Sequence, residues 1–285
     1  MPSPRSFPYH LVVASVFQNE APFLKEWIEF HKMMGVELFI LVNDRSTDDF
    51  ALVLQPYLDA GEVVLIDRPC PKRWRRTRWV NYQRWTLHDV CDRMRGVARW
   101  LALIDVDEFI VPAGSRSLLD FLAQHEERFG GVYIRWVPFG TAYVKQLPSN
   151  RLMTEILCRK RRFLKGQETL GKSIVQPLHV IDLDVHLCML APDYDYLDCN
   201  PGMLHRYPPV KLHHYWSRSE EYLLKEKLPR VARIKGWPID PDSVASYRLL
   251  FNDVPDHTMK RFAPELRRRV FADGVALLPE VRCSR

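Results

Sequence analysis

The residues best suited to chemistry in this chain are two aspartates one position apart, Asp105 and Asp107, at the end of the apolar run WLALI. Residues i and i+2 of an extended strand point to the same side. Two carboxylates there repel each other unless a cation lies between them. Hard divalent cations such as Mg2+ or Mn2+ take oxygen ligands and usually keep phosphate oxygens in their shell. The pair therefore suits a metal-bound diphosphate, and taken alone it equally suits an acidic turn ahead of a helix near Leu118. A second feature is the stretch 68–99, with ten Lys and Arg against two acids, in which Arg73, Arg75, Arg76 and Arg78 stand beside Trp74 and Trp79. Guanidinium groups suit phosphate or a polyanion, and indoles suit stacking. For most of these arginines a solvated face is the expected role.

The elements that must position these groups are legible from periodicity. Leu11 to Phe17 reads as a buried strand, with Asn19 as N-cap and Pro22 in the first turn of a helix. Phe23, Trp27, Ile28, His31 and Met34 recur at helical spacing, and Gly35 is the expected stop. Leu38 to Val42 is a strand followed by the polar turn Asn43 to Asp48, a helix from about Asp49 to Leu58, and a strand from Val63 to Ile66. Trp79 to Met94 reads as a helix, Trp100 to Ile104 as a strand, Leu118 to Phe129 as a helix and Val132 to Val137 as a strand. Alternation of this kind predicts an α/β fold with a mostly parallel central sheet flanked by helices. Ligands in such sheets bind beyond the carboxyl ends of the strands. Asn19 and Glu20, Asn43 and Asp44, Asp67 and Arg68, and Asp105 to Glu108 all fall there.

Composition narrows the classes. Of 285 residues, 47% are hydrophobic and 27% charged, the balance of a folded globular protein. The net charge of +6 is compatible with phosphorylated ligands or an anionic membrane surface and too small to indicate nucleic acid. Six cysteines without a CxxC pair argue against a zinc knuckle and read as reduced thiols of a cytoplasmic protein. The N-terminal residues make a poor signal peptide, and no apolar run is long enough to span a membrane. No GxGxxG follows the first strand, which disfavours a dehydrogenase. A sugar nucleotidyltransferase would be expected to carry a Gly-rich phosphate loop near Asn19, and none occurs. A carbohydrate- or nucleic-acid-binding module built on the Arg/Trp stretch would leave Asp105 and Asp107 unexplained.

Several segments together resemble family 92 glycosyltransferases and their family 2-like bacterial relatives. They are NEAPFLKEWIEFHKMMGVELFILVNDRSTDD from residue 19, WLALIDVDEFIVP from residue 100, Gln83, Trp136 to Gly140, GKSIVQP from Gly171, His186, and HYWSRSEEYLLKEK from His214. The likeness runs in order over roughly residues 10 to 228. It implies a GT-A nucleotide-sugar-binding domain over residues 8–230, with residues 231–285 as a C-terminal helical extension packed on it. It also implies an inverting transfer from a nucleotide-sugar, with UDP-sugar as the default donor and Mn2+ or Mg2+ as cofactor. Asn19, Glu20 and Asp44 would hold the nucleoside, with Asp48 supporting that turn and Gln83 near the donor. Asp105 and Asp107 would touch ribose and metal, Glu108 would brace them, and Lys172 would neutralise a phosphate. His186 is the first choice for a further metal ligand and His214 the second.

An inverting transfer also needs a carboxylate to take the acceptor's proton. The acidic segment 182–198 makes Asp193 or Asp195 the favoured candidates, with Glu155 and Glu168 as others. The acceptor is expected to be a glycan or lipid-linked glycan in surface polysaccharide synthesis, and no nucleic-acid partner is expected. In the tail, Phe262, Leu266, Val270 and Phe271 share one helical face, while Lys260, Arg261, Arg267, Arg268 and Arg269 occupy others. That pattern suits either peripheral contact with the inner membrane face or, as the commoner case, packing on the catalytic domain.

Overall fold

The apolar runs become the strands of one sheet. The computed structural model describes residues 6–71, 79–114, 117–162, 170–199, 209–235 and 251–272, with Ala245 and Arg248. In chain order the strands are β1 (Tyr9–Phe17), β2 (Leu38–Asn43), β3 (Val63–Asp67), β4 (Ala98–Leu103), β5 (Glu108–Pro112), β6 (Phe129–Pro138) and β7 (Arg159–Lys160). They continue with β8 (Gly171–Val175), β9 (Val180–Asp182), β10 (Met189–Leu190), β11 (Asp195–Cys199), β12 (Val210–His214) and β13 (Val254–Pro255). The main sheet runs β3-β2-β1-β4-β8-β6-β12-β5, and β11 also pairs with β6. β1 to β4 are parallel, β8 enters antiparallel between β4 and β6, and β12 runs parallel to β6 and antiparallel to β5. The mostly parallel sheet expected from the sequence is present. Its two antiparallel members, β8 and β5, begin where the parallel strands end, so their first residues join the same edge.

β1 and β2 are covered on both faces, which is why they read as continuous apolar runs rather than alternating ones. Helix α1 (Ala21–Met33) buries Leu24, Trp27, Ile28 and Phe30 against the sheet. The Trp27 indole N–H donates to the Glu108 carbonyl at 2.8 Å. α1 stops at Gly35 as expected: its φ is +94°, and a Cβ there would lie 2.6 Å from the Leu119 side chain. Helix α2 (Phe50–Asp59) and helix α3 (Trp79–Arg93) fall within a residue or two of their expected limits.

One helix is much shorter than its periodicity suggests. Helix α4 (Leu118–Ala123), capped by Ser117, ends six residues before Phe129. Phe129 already begins β6, because Gly130 and Gly131 resist helix and give Tyr194 and Tyr196 room to pack against the strand. Helix α5 (Met153–Ile156) is tied to α1 through Glu26, whose carboxylate accepts from the Met153 and Thr154 amides and the Thr154 hydroxyl.

The segment expected as a helix from Ser217 or Ser219 is capped by Ser219. It runs through α6 (Glu220–Tyr222), a π-helical turn (Leu223–Lys227) and α7 (Leu228–Lys235). In the tail, helix α8 (Ala263–Val270) packs on α1: Leu266 and Val270 are buried, the Phe262 ring lies 5.4 Å from Phe30, and Arg269 reaches Glu29 at 3.5 Å. That contact covers the apolar face a bilayer would need, in line with the packing alternative of the two the sequence offers. Among the described residues, no helix is long and apolar enough to cross a membrane.

Candidate active site

The carboxyl ends of β1, β2, β4, β6 and β12 open onto one cleft of about 1010 Å³. Asn19, Glu20, Asp44, Gln83, Asp105, Asp107, Lys172, His186 and His214 all line it, so the structure gathers nine of the expected site residues in one place.

The walls at β1 and β2 are knitted by their loops. Asn19 does not cap α1. It sits at φ +55°, its side-chain oxygen accepts from the Thr47 amide at 2.8 Å, and its own amide donates to Ser46 Oγ. The N-terminus of α1 is served from the neighbouring loop instead, where Asp48 Oδ2 accepts from the Ala21 amide at 2.8 Å. Asp44 is buried, and one of its oxygens accepts from the Cys70 amide at 2.7 Å. Gln83 reaches the lining from α3.

On the floor, Glu108 is fully buried and braces the turn after β4. One of its oxygens accepts from the Asp105 amide at 2.8 Å and the other from the Trp136 indole at 2.5 Å. Lys172, from the first turn of β8, reaches Asp105 at 2.9 Å. Burial alone would strip its proton, but Asp105 and then Glu108 hold it charged, above the ordinary lysine range. Gly171 makes this placement feasible: a Cβ there would stand 2.2 Å from the Ile134 carbonyl, so only glycine lets β8 approach β6 this closely.

Asp107 faces the second half of the chain. Its Oδ1 lies 3.5 Å from His214 Nε2 and its Oδ2 accepts from Lys227 Nζ at 2.7 Å. Burial opposes its charge, but Lys227 and then His214 overcome that and hold its carboxyl well below the usual range. The Trp136 ring packs at 4.5 Å on His214 and at 5.3 Å on His186. Glu20 pairs with the fully buried Arg218 at 2.5 Å and with Arg230 at 3.8 Å. Burial nevertheless raises its pKa, with Arg218 acting against that rise.

Asp107 and His214 are a carboxylate and an imidazole side by side, donor types that Mn2+ accepts. No group of three or more His, Cys, Asp or Glu that could hold a metal ion is gathered among the described residues. A cation here would have to take most of its shell from phosphate and water. Both histidines line the cleft, in different settings. His214 lies against Asp107, whereas His186 Nδ1 is engaged with the Gly171 carbonyl at 3.0 Å.

Asp193 and Asp195 are not brought to the cleft. Asp195 pairs with Phe129 at the opposite end of β6 from Trp136. At about 3.3 Å per residue, that separation is roughly 20 Å. Glu155 is held by Arg267, and Glu168 lies outside the described residues. So do Arg73, Trp74, Arg75, Arg76 and Arg78 of the basic stretch. Its described arginines are engaged internally: Arg68 and Arg93 with Asp89, Arg84 with Asp182, Arg95 with Asp92 and Arg99 with Glu126. Lys227, Arg230, Trp136 and Trp216 line the cleft and received no role from the sequence alone. The signal was the K-x-x-R spacing of Lys227 and Arg230 in the segment after HYWSRSEEYLL, which puts both on one helical face.

A mostly parallel α/β sheet with acidic and imidazole groups at its strand ends, flanked by helices, has the layout of a GT-A domain. The chain belongs to glycosyltransferase family 92, whose model matches residues 9–240. A family 92 protein of Ricinus communis is 24% identical over 241 residues, 82% of this chain and 39% of that protein. The beta-1,4-galactosyltransferase galt-1 of Caenorhabditis elegans is 24% identical over 236 residues, 79% of this chain and 53% of that protein. The chain thus spans about half or less of these relatives. Among solved structures, S. aureus TarS 1-349 aligns with a TM-score of 0.42 at 11% identity, covering 93% of this chain and 72% of that one.

Proposed function

We propose that this chain transfers a sugar from a nucleotide-sugar, with UDP-sugar as the first class to test, to a hydroxyl of a glycan or glycoconjugate. The observation that carries the reading is the Asp107–His214 pair, 3.5 Å apart at the floor of a cleft built from strand ends. The loops tied together by Asn19, Ser46 and Thr47 form the wall that takes the nucleoside, with Asp44 and Gln83 beside it. Asp105, paired with Lys172 and held at its backbone amide by Glu108, would meet the ribose. Asp107 and His214 would hold Mn2+ or Mg2+, and such a cation supplies charge to the leaving diphosphate. A neutral imidazole favours Mn2+ of the two.

The Trp136 and Trp216 faces line the side where a sugar would stack. Attack by the acceptor hydroxyl opposite the diphosphate gives inversion, and its proton must pass to a base within hydrogen-bond reach. Asp193 and Asp195 are too distant for that role. The name of the C. elegans relative makes UDP-galactose the first donor to try.

The test is a thermal-shift panel of UDP, GDP and CMP with and without Mn2+, on the wild type and Asp107→Asn. A ligand at a hundred times its Kd stabilises the fold by about 2.7 kcal/mol. The expected result is a Mn2+-dependent rise with one nucleotide that Asp107→Asn abolishes. No rise with any nucleotide would sink the reading.

A further inference from the structure

Lys227 is the lysine of the described cleft that pairs with Asp107, and it reaches that carboxylate from a π-helical turn. Its ammonium sits 2.7 Å from Asp107 Oδ2 and 5.2 Å from the Trp216 ring, on an element 120 residues away in sequence. π-turns are rare and concentrate at functional sites, because they trade helix geometry for the aim of a side chain. Here the turn aims a long, flexible, single-point charge at the floor of the cleft. We propose that Lys227 is a displaceable counter-ion: it neutralises Asp107 while the cleft is empty and moves to the donor's diphosphate when a metal–nucleotide complex enters.

The proposal rests on the reading of the cleft as the donor site. Its physical basis is competition for one carboxylate. Asp107 is nearly buried, so leaving it without a cation would be costly, and the lysine removes that cost in the empty protein. A divalent cation placed on the same carboxylate repels an ammonium a few ångströms away. The donor's diphosphate carries about two negative charges, rising to about three as the nucleoside diphosphate leaves, and the oxygens the cation does not contact give the ammonium a new partner within reach of its four-carbon stem. Lys172 cannot take this part, because Asp105 at 2.9 Å and Glu108 at 4.0 Å already hold it at the floor. Arg230 stands one turn further along and is engaged with Glu20 at 3.8 Å.

The two halves of the exchange have opposite signs, and that separates this role from a merely structural one. Removing the competing ammonium strengthens binding of Mn2+ alone, and removing the phosphate partner weakens binding of UDP in the presence of Mn2+. The experiment measures both affinities by calorimetry on the wild type, Lys227→Met and Lys227→Arg, with Mn2+ and UDP as probes and circular dichroism to check folding. For Lys227→Met the expected result is Mn2+ binding tighter by about tenfold and UDP binding weaker by about tenfold, the size of an ordinary coupling between sites. Lys227→Arg should restore most of the UDP affinity. If Lys227→Met leaves both affinities unchanged, or weakens both, the exchange is overturned while the donor-site reading survives. If the wild type binds neither probe, both readings fall together.

Discussion

The acids of the cleft and their countercharges come from different parts of the chain. Glu20, Asp105, Asp107 and Glu108 follow or begin strands of the first half, where each lies at the edge of an apolar run. Lys172, His214, Arg218, Lys227 and Arg230 come from the second half and meet them only in the folded state. The first half ties several polar groups to loops of the same half, as Asp48 to Ala21 and Asn19 to Thr47, although Glu26 reaches Met153 and Thr154. The second half supplies charges that cross the molecule. The difference shows how a strand-end site can hold buried carboxylates: Asp107 and Glu20 are each met by a charge from a distant element, so the site exists only when both halves are folded together.

The strongest way to break this comparison is at Arg218. It is fully buried and its partner Glu20 is nearly so. Arg218→Ala leaves the buried Glu20 with only Arg230, at 3.8 Å, and should lower the unfolding free energy by about 3 kcal/mol in urea denaturation. Adding Glu20→Gln to Arg218→Met should recover a good part of that loss. A single variant as stable as the wild type would show that the cross-molecular pairs do not hold the site together.

A second, smaller effect distinguishes the framework by pH. His31, in α1, is held neutral by burial, its pKa pushed down to about 3. Its Nδ1 contacts the Trp27 carbonyl at 2.8 Å, and its Nε2 accepts from the Ile110 amide at 3.3 Å. The unfolded chain binds a proton at this residue below about pH 6.5, and the folded one does not until about pH 3. Stability should therefore fall with acidification through that window, by about 1 kcal/mol per pH unit from this residue. Denaturation curves for His31→Gln, which has no charge to gain, should show a shallower acid limb. An unchanged limb would remove His31 as its source.

The smallest expected effect is local. Asp48→Ala deprives the first turn of α1 of one acceptor and should cost about 1 kcal/mol, read as a modest shift of the urea midpoint. A loss as large as that of Arg218→Ala would erase the distinction between the two regions.

Legibility followed the same division. The parallel strands, α1 to α3 and the acids at the strand ends could be read from the chain, because apolar periodicity and a polar residue after an apolar run are local signals. Asn19 could be placed at a strand end but not given its bonds, since the one from the Thr47 amide that fixes it crosses two loops. α4 was overread because its apolar spacing continues past Ala123, where the pairing demands of β6 take over. Asp193 and Asp195 stood out as an acidic segment, but composition carries no information about which end of a sheet a residue reaches.

What the sequence alone determined is the alternation that builds the sheet, the placement of Asp105 and Asp107 at a strand end, and the motifs that carry the family likeness. Only the tertiary structure decided that His214 rather than His186 stands against Asp107, that Lys227 holds its second oxygen, and that α8 covers α1 instead of presenting a free apolar face. The physical reason is range. Strand and helix patterns arise from neighbours a few residues apart, whereas a buried charge is settled by whichever opposite charge the fold brings within hydrogen-bond distance.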